Sequence, residues 1–184
     1  MKPPEKIQTK ELLLRRIEIS DAKRMFDSYS CDPEVAKYMS WRLTGKFEDT
    51  LCFVKTAIDW WNTPETAADF VYAIQNLESG EFIGCCSAGP HSAGCQYHWG
   101  LGYNLARKFW GRGYGTQVVT VLSQELMKRP EIFRLSAVVD TENIASARVL
   151  EKSGCSREGT LRRYAIHPNR SSEPRDIHLY SLIK

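Results

Sequence analysis

Phe109-Trp110-Gly111-Arg112-Gly113-Tyr114-Gly115-Thr116 lies between a segment of strict two-residue alternation and a segment of helical spacing. Before it, Tyr97, Trp99, Leu101, Tyr103 and Leu105 alternate with His98, Gly100, Gly102 and Asn104, a strand with one bulky face and one small or polar face. After it, Val118, Val119, Leu122 and Leu126 share one side of a helix from Thr116 to Lys128, which Pro130 stops. Glycine at alternate positions lets successive backbone N–H groups turn toward one point, and such a nest binds an anion. The unpaired N–H groups and positive dipole end of the following helix reinforce the same spot. Arg107, Lys108 and Arg112 add charge nearby, so a diphosphate is the best-fitting ligand. The alternative for the same residues is a tight strand-to-helix connection whose glycines only turn the chain. A P-loop needs Gly-Lys-Ser/Thr, and here the run ends Gly115-Thr116-Gln117. A dinucleotide fingerprint lacks its third glycine, replaced by Thr116, and this unit begins too late in the chain for a doubly wound sheet.

Outward from the loop, Leu12 to Arg16 fits a first strand, Ser20-Asp21 an N-cap for a short helix to about Ser28, and Asp32-Pro33 the start of another, Glu34 to Met39. Leu51, Val54, Ile58 and Trp61 mark a longer helix, Phe47 to Trp61. Phe70 to Ile74 and Glu81 to Gly84 flank the turn Glu78-Ser79-Gly80 and predict a hairpin. Phe133 to Val139 is the next strand; Asn143 caps a helix to Lys152 with Gly154 as its stop; Cys155 to Leu161 and Ile177 to Leu182 supply two closing strands. His167 to Pro174 reads as a surface loop. With no repeat or linker, residues 1–184 read as a single domain with one mixed α/β sheet.

The 184 residues are 42% hydrophobic and 26% charged, and no apolar run approaches the roughly 20 residues that span a bilayer. The first residues carry no apolar core of a signal peptide, so a cytoplasmic protein with no membrane partner is expected. A net charge of +3 with scattered basic residues argues against nucleic acid. The six cysteines form no C-x-x-C pair, and no paired histidines complete a zinc pattern. No metal is expected, and the cysteines read as small buried hydrophobes.

Trp110 to Gly115 resembles the Q/R-x-x-G-x-G/A loop of the GNAT superfamily of acetyl-CoA-dependent N-acetyltransferases, with Trp110 in place of Gln or Arg. The Trp-Gly-x-Gly-Tyr form is similar to the Rim-type branch, whose named members acetylate N-termini of ribosomal proteins. A second block, Asn143-Ile144-Ala145-Ser146 with Leu150 to Cys155 and Glu158 to Arg162, resembles that branch's N-x-x-S…E-K-x-G-F…E-G pattern, with Ser153 and Cys155 as departures. Weaker matches at Leu12-x-Leu14-Arg15, Gly102-Tyr103-x-Leu105 and Tyr180-Ser181 extend it along nearly the whole chain. The resemblance implies a GNAT-like α/β (α+β mixed) fold, with a mostly antiparallel twisted sheet of about seven strands, splayed at the cofactor site, and about four or five flanking helices.

It also implies an N-acetyltransferase that moves an acetyl group directly from acetyl-CoA to a primary amine, either a protein N-terminus or a small molecule, as a monomer or homodimer. Expected cofactor-binding residues are Tyr103, Asn104 and Leu105 on the strand, where a bulge or splay is expected, then Trp110, Gly111, Arg112, Gly113, Tyr114, Gly115 and Thr116, and finally Asn143 and Ser146. Direct transfer needs no cysteine nucleophile, but the amine must lose a proton, the oxyanion needs an N–H donor and the thiolate benefits from an acid. Many superfamily members have an acidic Tyr where Leu150 stands, so Ser146 is the expected acid; its alternative role is to satisfy a backbone N–H in the first helical turn. The carboxylate position on the strand is Gly100, so the expected base is His98, on the same face; a solvated or packing histidine is the alternative. Asp176 and His178 are further options, and a water chain without a base is another. Trp41, with His98, is the expected acceptor contact; Trp60, Trp61, Tyr97 and Trp99 are further aromatics, equally compatible with a core. Because Gly100 and Leu150 replace acid–base positions, a coenzyme A-binding module with little catalysis is the competing reading.

Overall fold

The structure is a computed structural model that describes residues 2–43, 45–64, 69–92 and 94–184. In chain order the elements are β1 (Lys6–Gln8), β2 (Leu12–Arg16), α1 (Asp21–Met25) running into a π-helical turn (Phe26–Ser30), α2 (Pro33–Ala36), α3 (Phe47–Asn62), β3 (Phe70–Asn76), β4 (Phe82–Pro90) and β5 (His98–Leu105). A 3-10 turn (Arg107–Phe109) then leads to α4 (Tyr114–Met127), β6 (Arg134–Asp140), α5 (Ile144–Lys152), β7 (Ser156–Ala165) and β8 (Arg175–Ile183).

The strands form one sheet in the order β1-β2-β3-β4-β5-β6-β8-β7. Every neighbouring pair is antiparallel except β5 and β6, because a parallel pair needs a crossover and α4 supplies it. Alternation sends Leu12 and Leu14 from β2 and Tyr72 and Ile74 from β3 into the core. Trp61 at the end of α3 closes edge-on against Phe70 and Tyr72, at 5.1 and 5.2 Å between ring centroids. Trp99 stacks on Phe70 at 5.8 Å. The helices fall on two sides: Tyr103 faces α5, where its hydroxyl meets Ser146, and the next residue, Asn104, points to the opposite face.

The mixed α/β sheet is the expected one, with an eighth strand added. β1 escapes sequence reading because it is three residues long and buries only Ile7, too short to show a period. The expected Ser20 cap is corrected: Ser20 has helical backbone angles and makes no side-chain cap bond. Asp21 anchors that corner instead, its carboxylate accepting from the Glu18 N–H at 2.9 Å and from both Arg15 terminal nitrogens at 2.7 Å. The next expected helix is capped as read, Asp32 accepting from Glu34 N–H at 3.0 Å, but it ends at Ala36 rather than Met39. The Phe47 helix, the hairpin and the Asn143 helix form where the sequence puts them.

No bulge interrupts β5: its pairing with β4 runs in unbroken register from Gly84↔Leu105 to Pro90↔Trp99. Gly84 is needed at that contact, since a Cβ there would lie 2.2 Å from the Asn104 carbonyl oxygen. The splay arises on the other side of β5. Its parallel pairing with β6 covers only His98↔Arg134, Trp99↔Leu135 and Gly100↔Ser136, after which the two strands diverge.

Candidate active site

Beyond Gly100 and Ser136 the divergence leaves the edge of β5 from Leu101 to Asn104 facing Ala137 to Val139 of β6 across a cavity of about 760 Å³. Val118, Leu122, Ser146 and Leu150 line it from the α4 and α5 side, and Tyr29, Trp41, Trp60 and Asp69 line it from the other. The opening therefore passes through the sheet, so two molecules can enter from opposite faces and meet at the gap.

α4 begins at the mouth of this wedge. Gly111 and Gly113 hold φ of +76° and +78°, the left-handed region in which glycine is unstrained, and an added Cβ at either would meet nothing within 4 Å. Backbone handedness, not crowding, fixes glycine there. Among the described residues no side chain caps α4, so its first N–H groups are open to an anion. At Gly115 crowding decides instead. A Cβ would come within 3.2 Å of the Tyr103 ring and 3.3 Å of Val149, so the bare backbone lets α4 close onto β5 and α5. Trp110 donates its indole N–H to the Leu105 carbonyl at 2.9 Å, tying the loop to the end of β5. Tyr114 packs against Phe109 at 6.3 Å between centroids, and the Thr116 carbonyl accepts from Ser153 Oγ at 3.4 Å. Of the three nearby basic residues, Arg107 is paired with Asp32 at 3.0 Å and Lys108 with Glu81 at 2.5 Å. Arg112 lies over the Phe109 ring at 5.6 Å and has no ion pair among the described residues.

At the throat, Asn143 caps α5 by accepting from the Ser146 N–H at 3.2 Å. The Ser146 hydroxyl is turned across the wedge, where it accepts from Tyr103 Oη at 3.3 Å. Burial pushes the Tyr103 phenol up, opposed by that hydrogen bond. Leu150 lies one turn further along, fully buried in the wall. A phenol from the facing strand thus meets the Ser146 hydroxyl beside this wall, a pairing invisible in sequence because Tyr103 and Ser146 are 43 residues apart.

On the opposite side Trp41 and Trp60 line the cavity, whereas Trp61 and Trp99 are core and Tyr97 is exposed outside it. Asn169 fixes the Trp41 loop: its amide donates to the Ala36 and Trp41 carbonyls at 2.8 Å, and its Oδ1 accepts from the Leu43 N–H at 2.7 Å. The segment read as a plain surface loop is therefore a strap across the cavity wall, and His167 within it is buried. His98 lies at the paired end of β5 rather than on the cavity lining: its Nε2 is 2.7 Å from Ser136 Oγ and its ring stacks on His91 at 4.3 Å. Burial first, then His91 and Arg134, lower its pKa. Asp176 accepts from the Arg163 N–H at 2.8 Å, and His178 Nδ1 sits 3.0 Å from Thr160 Oγ1; neither lines the cavity.

Sequence reading missed Asp69, which lines the cavity just ahead of β3. Burial pushes its carboxyl up to about 6, opposed by a hydrogen bond from Ser87. It also missed the side chains of Tyr29 and Asn104, which lie beside each other, buried at the cavity wall, though neither Tyr29 Oη nor Asn104 Nδ2 makes a well-formed hydrogen bond among the described residues; Asn104 was expected on other grounds. All six cysteines are free, but only Cys85, Cys86 and Cys155 are buried, so the reading of all six as core is corrected for exposed Cys31 and Cys52 and half-buried Cys95. Burial pushes the Cys85 thiol up to about 12, far from a thiolate nucleophile. Among the described residues, no group of three or more His, Cys, Asp or Glu could hold a metal ion, and no helix is long and apolar enough to cross a membrane.

A wedge in a mostly antiparallel sheet, opening onto an uncapped helix behind a Gly-x-Gly loop, can be compared with known proteins. The profile described as acetyltransferase (GNAT) domain matches residues 11–156. The chain belongs to the GNAT acetyltransferase family. This acetyltransferase is 27% identical over 179 residues to the uncharacterized N-acetyltransferase YoaA of Bacillus subtilis, covering 97% of this chain and 96% of that one. Its fold matches the ribosomal-protein alpha-N-acetyltransferase RimL, solved in complex with coenzyme A, with a TM-score of 0.84 and 20% identity over 97% and 98% of the two chains. It also matches the microcin self-immunity acetyltransferase MccE, solved with acetyl-CoA and AMP, with a TM-score of 0.83 and 19% identity over 96% and 94%. The acetyltransferase is accordingly an acyl-transferring enzyme, which does not favour the reading as a binding module with little catalysis.

Proposed function

We propose that the 184 residues act as one acyl-CoA N-acyltransferase domain that moves an acetyl group from acetyl-CoA directly to a primary amine, with both substrates bound together in the cytoplasm. The observation that carries this reading is the through-sheet wedge, with the uncapped start of α4 at one mouth and an aromatic, carboxylate-bearing wall at the other. The donor fits the residues present. Its diphosphate suits the N–H groups from Gly111 to Thr116 with Arg112 free to pair, and its extended arm suits the unpaired edge Tyr103-Asn104-Leu105, with Trp110 and Tyr114 beside the loop and Asn143 ordering the start of α5. The bound complexes of RimL and MccE support this donor by analogy. Ser146, fed by Tyr103, is the group that protonates the departing sulfur. Trp41 and the buried Tyr29 Oη and Asn104 Nδ2 at the cavity wall are contacts for the acceptor. His98 is the base named by the strand pattern, and its engagement with Ser136 makes it a polar anchor of the seam instead.

The test is thiol release from acetyl-CoA with a panel of free-N-terminus peptides, phenethylamine and a polyamine, each product identified by mass. Acetylation of at least one amine with stoichiometric thiol release is expected. Calorimetric binding of acetyl-CoA without turnover on any of them would return the chain to the binding-module reading.

A further inference from the structure

On one face of the sheet beside the gap, part of a row is bare. β3, β4 and β5 pair so that Phe70, Ala88 and Leu101 form one row and Val71, Ser87 and Gly102 the next. One step back, Asp69 heads the row that continues through Gly89 and Gly100, which pair directly. Asp69, Val71, Ser87, Gly100 and Gly102 therefore share a face by alternation, and all five line the cavity. Between the Asp69 carboxylate and the edge where β5 leaves β6, the row carries no side chain. A Cβ at Gly100 would find only the Gly89 carbonyl, at 3.9 Å, so packing does not demand glycine at Gly100 and the space above it is open.

We propose that Asp69 is the base of the acyl transfer, taking the proton of an incoming primary ammonium over the Gly89–Gly100 floor. This rests on the acyltransferase reading above and names the group that reading leaves unassigned. Strands lie about 4.8 Å apart, so β3 is about 10 Å from β5; the carboxylate spans part of that distance and a water on the floor relays the rest. The ammonium gives its proton to the Asp69 carboxylate. The freed amine attacks the thioester carbonyl and the C–N bond forms; the nitrogen sheds its second, surplus proton through the floor water to solvent as the C–S bond breaks, and the sulfur leaves with its electron pair and is protonated from Tyr103 through Ser146. Asp69 then returns its proton through solvent to the phenol, and no other reactant is needed.

The surroundings of Asp69 suit a base. A carboxyl held near 6 is still ionised at neutral pH yet basic enough to accept a proton. Its shift comes from burial, opposed by the Ser87 hydroxyl, and no charged side chain among the described residues contributes. The titratable groups that line the cavity with it are Arg42, Lys46 and Asp49 from the α3 side, Tyr29 and Tyr38 from the segment ahead of it, Cys85 and Cys86 of β4, Tyr103 of β5, and Asp140 with His167 beyond β6; His98 lies further back on β5. The class of acceptor is a primary amine flanked by apolar surface, since Trp41, Phe53 and Trp60 line the same side.

The experiment compares wild type, Asp69→Asn and Asp69→Glu, using whichever amine of the panel the wild type acetylates, with kcat/KM followed from pH 5 to 9. The wild type should lose activity below about pH 6. Asp69→Asn should fall at least about 100-fold at pH 7.5 and lose that acid limb, with acetyl-CoA affinity unchanged within twofold; Asp69→Glu should recover part of the rate. Because the fold favours the protonated form, ionised Asp69 costs stability at every pH above its folded value, so Asp69→Asn should not lower Tm at pH 7.5. A variant with the acid limb intact, or within threefold of wild type, overturns the proposal and leaves the acyltransferase reading standing. So does a variant that loses acetyl-CoA binding and melts earlier, which would mark Asp69 as structural. A wild type that binds acetyl-CoA and acetylates no amine fails the underlying reading, and the base with it.

Discussion

The Tyr103 phenol and the Ser146 hydroxyl meet where β5 leaves β6, and burial keeps the phenol protonated through the neutral range and above. Tyr103→Phe and Ser146→Ala are each expected to lower kcat by about 10- to 100-fold while leaving acetyl-CoA affinity within about threefold. Because the phenol does not titrate there, the loss should be the same at pH 6.5 and pH 8.5 in thiol-release assays. A change confined to Tm would reduce the pair to packing. Ser146 was legible because its N-x-x-S block puts it one turn into a helix whose cap, Asn143, can be read directly. Tyr103 was legible as a cofactor-binding strand position but not as a partner of Ser146, since its hydroxyl acquires that meaning from a helix on the far side of a crossover. Asp69 was hidden for a related reason: a carboxylate ahead of an apolar strand says nothing until hairpin register lines it up with Gly89 and Gly100. His98 was read onto the right face of β5 but too far back, at the end where β6 is still paired.

The strap between β7 and β8 works through one side chain. Asn169 spends both amide donors and its acceptor on the Ala36–Leu43 segment, so Asn169→Ala leaves three backbone groups to find other partners. A buried polar group left unsatisfied costs about 1–3 kcal/mol, and the variant should melt several degrees earlier. It should also raise the acceptor KM about tenfold, since Trp41 lies in the released loop, while calorimetry shows acetyl-CoA binding unchanged. A variant whose two substrates weaken together would show that the strap holds the sheet rather than the acceptor wall. Elements with terminal chemistry of their own were readable: Asp32-Pro33 and Asn143 start helices, and Glu78-Ser79-Gly80 turns a hairpin. The π-helical turn after α1 has no such signal, and α2 stops early although nothing in its sequence breaks a helix there.

Across the molecule, two sheet halves meet at a seam of three parallel residue pairs, bridged by α4. A ligand bound in the wedge touches both halves and only in the folded state, so it stabilises by mass action: about 2.7 kcal/mol at 100 times Kd, or roughly 5–10 °C for a chain of this size. Acetyl-CoA and coenzyme A should both give that shift in a thermal melt, and AMP much less. Equal shifts from AMP would put the binding energy outside the wedge. The overall sheet was legible because alternation, hairpin chemistry and one crossover leave few ways to order the strands; where it comes apart was legible only by resemblance, since no residue announces that pairing stops at Gly100. That stopping point also bears on how the protein behaves in a tube. Strand edges with free backbone groups are templates for aggregation, and here two such edges, Leu101–Leu105 and Ala137–Asp140, are sheltered in the interior by facing each other. Opening the short seam would expose both at once, so preparations without nucleotide should be the ones that clump on warming, and the co-substrate should double as the additive that keeps them dispersed.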